Sequence, residues 1–402
     1  MILRLLCRFK EKLFYDFTYI LLIVEKSIKI LSSYLIIFLL KKDELINLLS
    51  VYALIEMASI TFFTLSIFGT DIISQRELKT GDVVTKLNMF FSFRVVVSFF
   101  LLILSIYLFP TLVSDKFSLF EVFLIFSFLV FSPFQIFEYY LYAVKKFKRV
   151  YIYKIITYSF TLLFKILVIL YFTEFIVYTI SFEYLILFLI YFKFLKRFLV
   201  FNDFYSNVIV FFKKYFKSVF LLFIASLIVV LNNQLLFVFL KHTSTAEIIA
   251  YLYIYLKFAE GFNFVSVNLG LMKIPESNYD LFFSKVFKKI KYLKYFIILS
   301  VVLFLLYYLS YIIYALPLPK TLSLLAVVLT YVNTYQIFLG INFVFKKKEK
   351  LKLLMNIIIL LVLIISLFIT INLKSLSLII LSLIFSKILS VFIIVKLYPN
   401  ER

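Results

Sequence analysis

Seven basic side chains sit inside, or at the ends of, long apolar runs of this chain: Lys26, Lys29, Arg94, Lys154, Lys165, Lys257 and Lys387. A lysine at the centre of a bilayer costs about 2.5–3.5 kcal/mol on insertion scales, so several of these must face a polar interior or snorkel to an interface. The clearest face is in one run, where Lys154, Tyr158, Thr161 and Lys165 follow at i, i+4, i+7 and i+11 and so share one side of a helix. Lys165 lies deeper than Lys154, and both cavity lining and snorkelling are open to it. Arg94 has no acid near it in its own run and cannot lose its proton, so it requires an acid on another helix, such as Glu56 or Glu138, or an anionic ligand.

Four carboxylates occupy similar positions. Glu25 with Lys29 (i, i+4) and Glu260 with Lys257 (i, i+3) can neutralise each other locally. Glu56 and Glu138 have no cation within a turn of their own helix. All four are candidates for proton or cation coupling, because desolvation raises a carboxyl pKa toward physiological pH. Span four is expected to align Ser127, Gln135, Glu138 and Tyr142 on one side. Asn232, Asn233, Gln234, Asn333 and Gln336 suit sugar hydroxyls or helix-to-helix hydrogen bonds. Arg94, Lys165, Lys257, Lys29, Asn233 and Gln336 form the candidate substrate set, which suits an anionic, hydroxyl-rich substrate better than a hydrophobic cation.

Residues for bond-breaking chemistry are scarce. The one histidine, His242, falls in a short loop, five glycines cannot supply a nucleotide fingerprint, and Cys7 has no partner for a disulfide. No metal motif occurs, no cofactor is expected, and the chain is expected not to be an enzyme. A polysaccharide polymerase or ligase would carry a large outer loop with Arg and His, and the outer loops here are short.

The elements that position these residues follow from composition. With 64% hydrophobic residues, 16% charged residues and a mean hydropathy of +1.09, the chain has too little polar surface for a water-soluble globule. Twelve runs of membrane length appear: Phe17 to Leu40, Leu45 to Phe68, Leu87 to Phe109, Phe117 to Ala143, Val150 to Phe172, Phe175 to Leu195, Ser218 to Leu240, Ile248 to Leu271, Tyr292 to Ala315, Thr321 to Phe345, Leu351 to Asn372 and Leu376 to Tyr398. Each must be a helix, since lipid offers no partner to backbone groups. The start, MILRLLCRFKEKLF, leads into a long run without a cleavage-like site and reads as an uncleaved first span.

The formal charge of +22 lies mostly between the runs. On this map thirty of the 43 basic residues fall on one side, and Lys41, Lys42, Lys116, Lys241, Lys320 and Lys374 on the other. The positive-inside rule then makes both termini cytoplasmic and excludes nucleic acid as a partner. The basic strip from Lys193 to Lys217 separates residues 1–197 and 218–402, each with six spans, through a linker at 198–217. Each span has a counterpart about 200 residues later, a parallel repeat. Phe198, Phe201, Phe204, Phe211 and Phe212 are expected to lay the strip along the interface.

The stretch KKDELINLLSVYALIEMASITFFTLSIFGTDIISQRELK, from Lys41 to Lys79, resembles the first outer loop and second span of Wzx-type O-antigen and polysaccharide flippases, with Phe68, Gly69, Arg76 and Glu77 at the cytoplasmic end. Leu45 stands where that family usually has a glycine after the acid. Ile274-Pro-Glu-Ser277 resembles the family's Pro-x-Ser, and TYQIFLGINFVFKKKEK its tenth span and basic knot. The resemblance implies an all-α integral membrane protein of the multidrug/oligosaccharidyl-lipid/polysaccharide exporter (MATE-like) fold, with two six-helix bundles rocking about a central cavity. It implies a substrate, undecaprenyl-pyrophosphate-linked oligosaccharide, crossing the bacterial inner membrane. Membrane lipid, a polysaccharide polymerase and a chain-length regulator are the implied partners. A multidrug cation antiporter of the same fold would instead carry a mainly acidic cavity.

Overall fold

The structure is a computed structural model that describes residues 46–79, 81–112, 117–199, 203–243, 348–370 and 376–397, with single helical positions between 18 and 40, at 253, and between 325 and 343. Every regular element among the described residues is helical. In chain order these are α1 (Ile46–Ile67), α2 (Thr70–Glu77), α3 (Val83–Leu112), α4 (Leu119–Phe126), α5 (Phe128–Phe131), α6 (Ile136–Ala143), α7 (Phe147–Tyr171), α8 (Ile180–Leu195), α9 (Phe204–Thr243), α10 (Glu349–Thr370) and α11 (Leu376–Leu397). Short 3₁₀ turns at Ser132–Gln135 and Thr173–Thr179 lead into α6 and α8.

Among the described residues, six helical stretches are long and apolar enough to cross a membrane: Asn47–Ile67, Val83–Phe109, Leu119–Ala143, Phe147–Tyr171, Thr173–Leu195 and Phe204–Leu231. They follow spans two to seven of the sequence map closely, except that the last begins well before Ser218. The outward surface suits lipid. On α7, Ile156, Phe160, Leu163, Leu167 and Leu170 are exposed along one stripe, whereas Thr157, Tyr158, Thr161 and Lys165 are buried on the opposite one. Water would favour the reverse arrangement.

The chain forms two compact units, one of Met1–Ile36 with Ser66–Phe216, the other of Ile37–Leu65 with Lys217–Arg402. In the first, α3 packs on α4 and α5, α2 lies along α6, and α7 runs beside α8. Span four is the helical stretch expected from its apolar run, with one irregular turn inside it. It runs helically from Leu119 to Ala143: Pro133 removes one backbone donor and crowds the preceding turn, and the helix tightens to 3₁₀ over Ser132–Gln135. Ser181 of α8 hydrogen-bonds the carbonyl oxygens of Leu124 (3.1 Å) and Ile125 (2.6 Å), and Ser98 meets Ser132 at 2.9 Å. Of the four residues expected on one side, Glu138 and Tyr142 are buried, while Ser127 and Gln135 are only half-buried.

The strip from Lys193 to Lys217 also differs from expectation. From Phe204 it is the start of α9, whose 40 residues extend about 60 Å. Asn207, Phe211, Tyr215 and Val219 recur at every fourth position on its buried face. Phe211 is fully buried and stacks on Phe93 at 4.0 Å, and Tyr215 packs on Phe90 at 5.2 Å. Phe211 therefore anchors the strip to α3 instead of lying along a lipid interface. Phe212, one position on, is exposed.

In the second unit α10 and α11 pack along each other, with Met355, Ile359 and Ile394 in a core that includes Phe343. Asn356 donates from Nδ2 to the Ala225 carbonyl of α9 at 2.8 Å.

Candidate functional site

The polar groups of the first unit are positioned by α2, α3, α6, α7 and α8. Arg94 projects from the middle of α3 and is 1% exposed. Its Nε donates to Thr70 Oγ1 at 2.7 Å, and its guanidinium carbon lies 4.9 Å from the centroid of the Tyr139 ring. It forms no ion pair among the described residues. Asp71 and Glu138 act on it only at longer electrostatic range. Nη1 and Nη2 are buried and, among the described residues, have no acceptor within ordinary hydrogen-bond geometry, the Tyr139 side chain acting on the guanidinium more loosely.

Local sequence explains how Thr70 reaches Arg94. Phe68 (φ 49°) and Gly69 (φ 68°) are both left-handed, so α1 ends and α2 restarts at once in a new direction with Thr70 at its first position. Thr70 Oγ1 also donates to the Ile67 carbonyl at 2.5 Å, leaving a lone pair to accept from Arg94. Glycine is needed at 69 because left-handed backbone is costly for other residues.

Glu138 and Lys154 form the tightest pair of charges. Lys154 Nζ is 2.5 Å from Glu138 Oε1, with both side chains largely buried. Lys154 therefore does not snorkel, and Glu138, taken from its own helix to have no cation, has one on the next helix. Glu25, fully buried, and Glu183 act on the same ammonium. Lys29 lies 3.8 Å from Glu183 and 5.1 Å from the Tyr158 ring centroid. Lys165 is buried on the shared face of α7, two turns beyond Tyr158, as the i, i+4, i+7, i+11 spacing anticipated. Gln75 Nε2, Tyr191 Oη and Thr161 Oγ1 are also buried with no hydrogen-bond partner among the described residues.

In the second unit Glu56 accepts a hydrogen bond from the buried Tyr253, and Lys387 donates to Asn333 Oδ1. Gln336, one turn beyond Asn333, is half-buried. Asn233 lies in α9, with its side chain outside the described residues, as are Lys257 and Glu260. Sequence reasoning did not single out Thr70, Gln75, Tyr139, Glu183 or Tyr253. Glu183 alone carried a usable signal, as an acid inside an apolar run. The others are ordinary residues until folding brings them to a charge. No group of His, Cys, Asp and Glu suited to a metal ion occurs among the described residues.

Apolar helices around an ionised interior define a multi-pass membrane protein, and its fold is that of the solved transporters of the MOP superfamily. One is a MOP-superfamily transporter from Pyrococcus furiosus, described as having a binding pocket of reverse polarity that suggests a different function. It is 12% identical, with 94% of this chain and 92% of that one covered and a TM-score of 0.59. A MATE transporter in its straight conformation is 12% identical over 93% of this chain and 92% of its own, with a TM-score of 0.56. A MATE transporter in its bent conformation gives 13%, 95% of each chain and 0.54. At these identities the likeness concerns the fold. No protein-family profile and no curated protein sequence matches the chain.

Proposed function

We propose that this chain is a flippase that moves an undecaprenyl-pyrophosphate-linked oligosaccharide across the bacterial inner membrane by alternating access. Its twelve spans form two six-helix bundles, and both termini are cytoplasmic. The supporting observation is the state of Arg94, whose Nη1 and Nη2 are buried without an acceptor among the described residues. An arginine left this way is costly unless a ligand supplies acceptors, and a pyrophosphate supplies them in the planar, paired geometry that guanidinium prefers. The unpartnered Gln75, Tyr191 and Thr161 atoms can each donate as well, which suits an oxygen-rich ligand. Membrane lipid would hold the polyprenyl tail, and a polysaccharide polymerase and chain-length regulator would receive the product.

A multidrug cation antiporter of the same fold is less well supported, because the described interior of the first unit balances Glu25, Asp71, Glu138 and Glu183 with Lys29, Arg94, Lys154 and Lys165. A polymerase or ligase is disfavoured by the transporter fold.

The test is uptake of labelled lipid-linked oligosaccharide into proteoliposomes, with deletion of the gene as its cellular counterpart. Arg94→Ala should lower transport on the order of 100-fold, the scale of a lost charge-assisted contact of about 3 kcal/mol, and Arg94→Lys should lower it less. Equal activity in the two variants would make Arg94 structural. If carrier-linked units reach the outer leaflet in cells lacking this protein and any redundant flippase, the proposal fails.

A further inference from the structure

Glu138 was expected to be a coupling carboxylate, yet a cation already occupies it. Lys154 and Glu138 lie on consecutive helices joined by the tight turn at Val144–Lys146, sixteen residues apart, and meet at 2.5 Å away from solvent. A carboxylate this deep stays ionised only with a compensating charge beside it. In a transporter that charge can be exchangeable, a proton or a metal ion drawn from water, or it can be a side chain. Here it is part of the chain and cannot diffuse away.

Nearby groups strengthen this arrangement. The charged and titratable side chains of the elements around the pair include Glu25 before α1, Arg94 on α3, Tyr139 and Tyr142 on α6, Tyr151 and Tyr158 on α7, and Glu183 and Tyr191 on α8. Glu25 and Glu183 add further negative potential at the ammonium. A free sodium ion would have to displace a tethered cation that three carboxylates attract.

We propose that Lys154 is a resident cation: its ammonium fills, at Glu138, the place an exchangeable coupling ion would take, so the first unit neither binds nor requires sodium there. This specifies the ion dependence of the transporter proposed above and rests on that function for its physiological meaning. The ion pair itself can be tested without substrate. Removing the ammonium while keeping the carboxylate should create a cation site that the natural chain lacks.

The experiment is thermal unfolding of the detergent-purified full chain in sodium chloride and in choline chloride at equal ionic strength. The natural protein and Lys154→Arg should melt at the same temperature in both salts. Lys154→Met should melt lower in choline and regain about 3 °C in sodium. The double variant Lys154→Met/Glu138→Gln, with no charge left to compensate, should lose that sodium response. Should Lys154→Met fail to fold, recovery of a folded, sodium-insensitive protein in the double variant supports the proposal, and failure to recover overturns it. A sodium-dependent rise in the natural protein that Glu138→Gln abolishes also overturns it, as does a folded Lys154→Met indifferent to sodium. Because melting requires no substrate, failure of oligosaccharide transport would count against the flippase function and leave this result standing.

Discussion

At the residue scale, side chains in this protein act through partners that are remote in sequence. Arg94 donates its hydrogen bond to a residue 24 positions away, and Glu138 receives its cation from one 16 away. Both basic side chains were visible as anomalies within apolar runs, because intramembrane charge is costly wherever it is placed. Glu138 was visible in the same way, but the pairing was not, and the partners of Arg94 were hidden because a threonine or tyrosine in a hydrophobic stretch is unremarkable alone. Asp82 shows the opposite, a purely local device. Outside the spans, its carboxylate accepts from the Val84 and Thr85 amides (3.1 and 3.2 Å) and from the Thr85 hydroxyl (2.5 Å), capping α3. Hydrogen bonds from the Thr85 side chain and backbone hold its pKa below the ordinary carboxylate value. Because the folded pKa is the lower one, the stabilisation is complete above the unfolded pKa and is lost as pH falls through the folded one. Asp82→Ala should therefore lower the melting temperature at neutral pH, and its difference from the natural protein should vanish below roughly pH 3.

At the scale of elements, the informative features are interruptions. Apolar runs of about 20 residues mark where spans lie, because bilayer thickness sets their length. They do not show that α1 stops at two left-handed residues, or that span four tightens to a 3₁₀ turn at Pro133. Gly69 forms a turn between two helices whose second member presents Thr70 to Arg94. Gly69→Val should destabilise the protein by about 1–2 kcal/mol relative to Gly69→Asn, which tolerates left-handed backbone. Equilibrium unfolding of both variants in mixed micelles measures the difference, and equal stabilities would contradict the left-handed assignment. In α9, the fourfold spacing of Asn207, Phe211, Tyr215 and Val219 was present in the strip, but its basic residues drew attention to charge and to a linker role.

At the scale of the whole molecule, topology follows from charge. The basic turn at Lys145–Lys146 and the outer turn at Phe172–Thr173 bracket α7, so their ends should lie on opposite sides of the membrane. In a Cys7→Ser background, a cysteine at Lys146 should be labelled by an impermeant reagent only after the inner face is opened, and one at Glu174 in intact spheroplasts. Labelling of both from one side would invert or break the topology. Composition and run length alone point to a chain that lives in lipid and is helical there, and locate the six described spans, because bilayer physics acts on each segment independently of its neighbours. Folding decides which charges pair, which donors remain open and where a helix breaks. Those outcomes depend on distances between residues far apart in the chain, and hydropathy carries no information about which side chain will stand opposite Arg94 or Glu138.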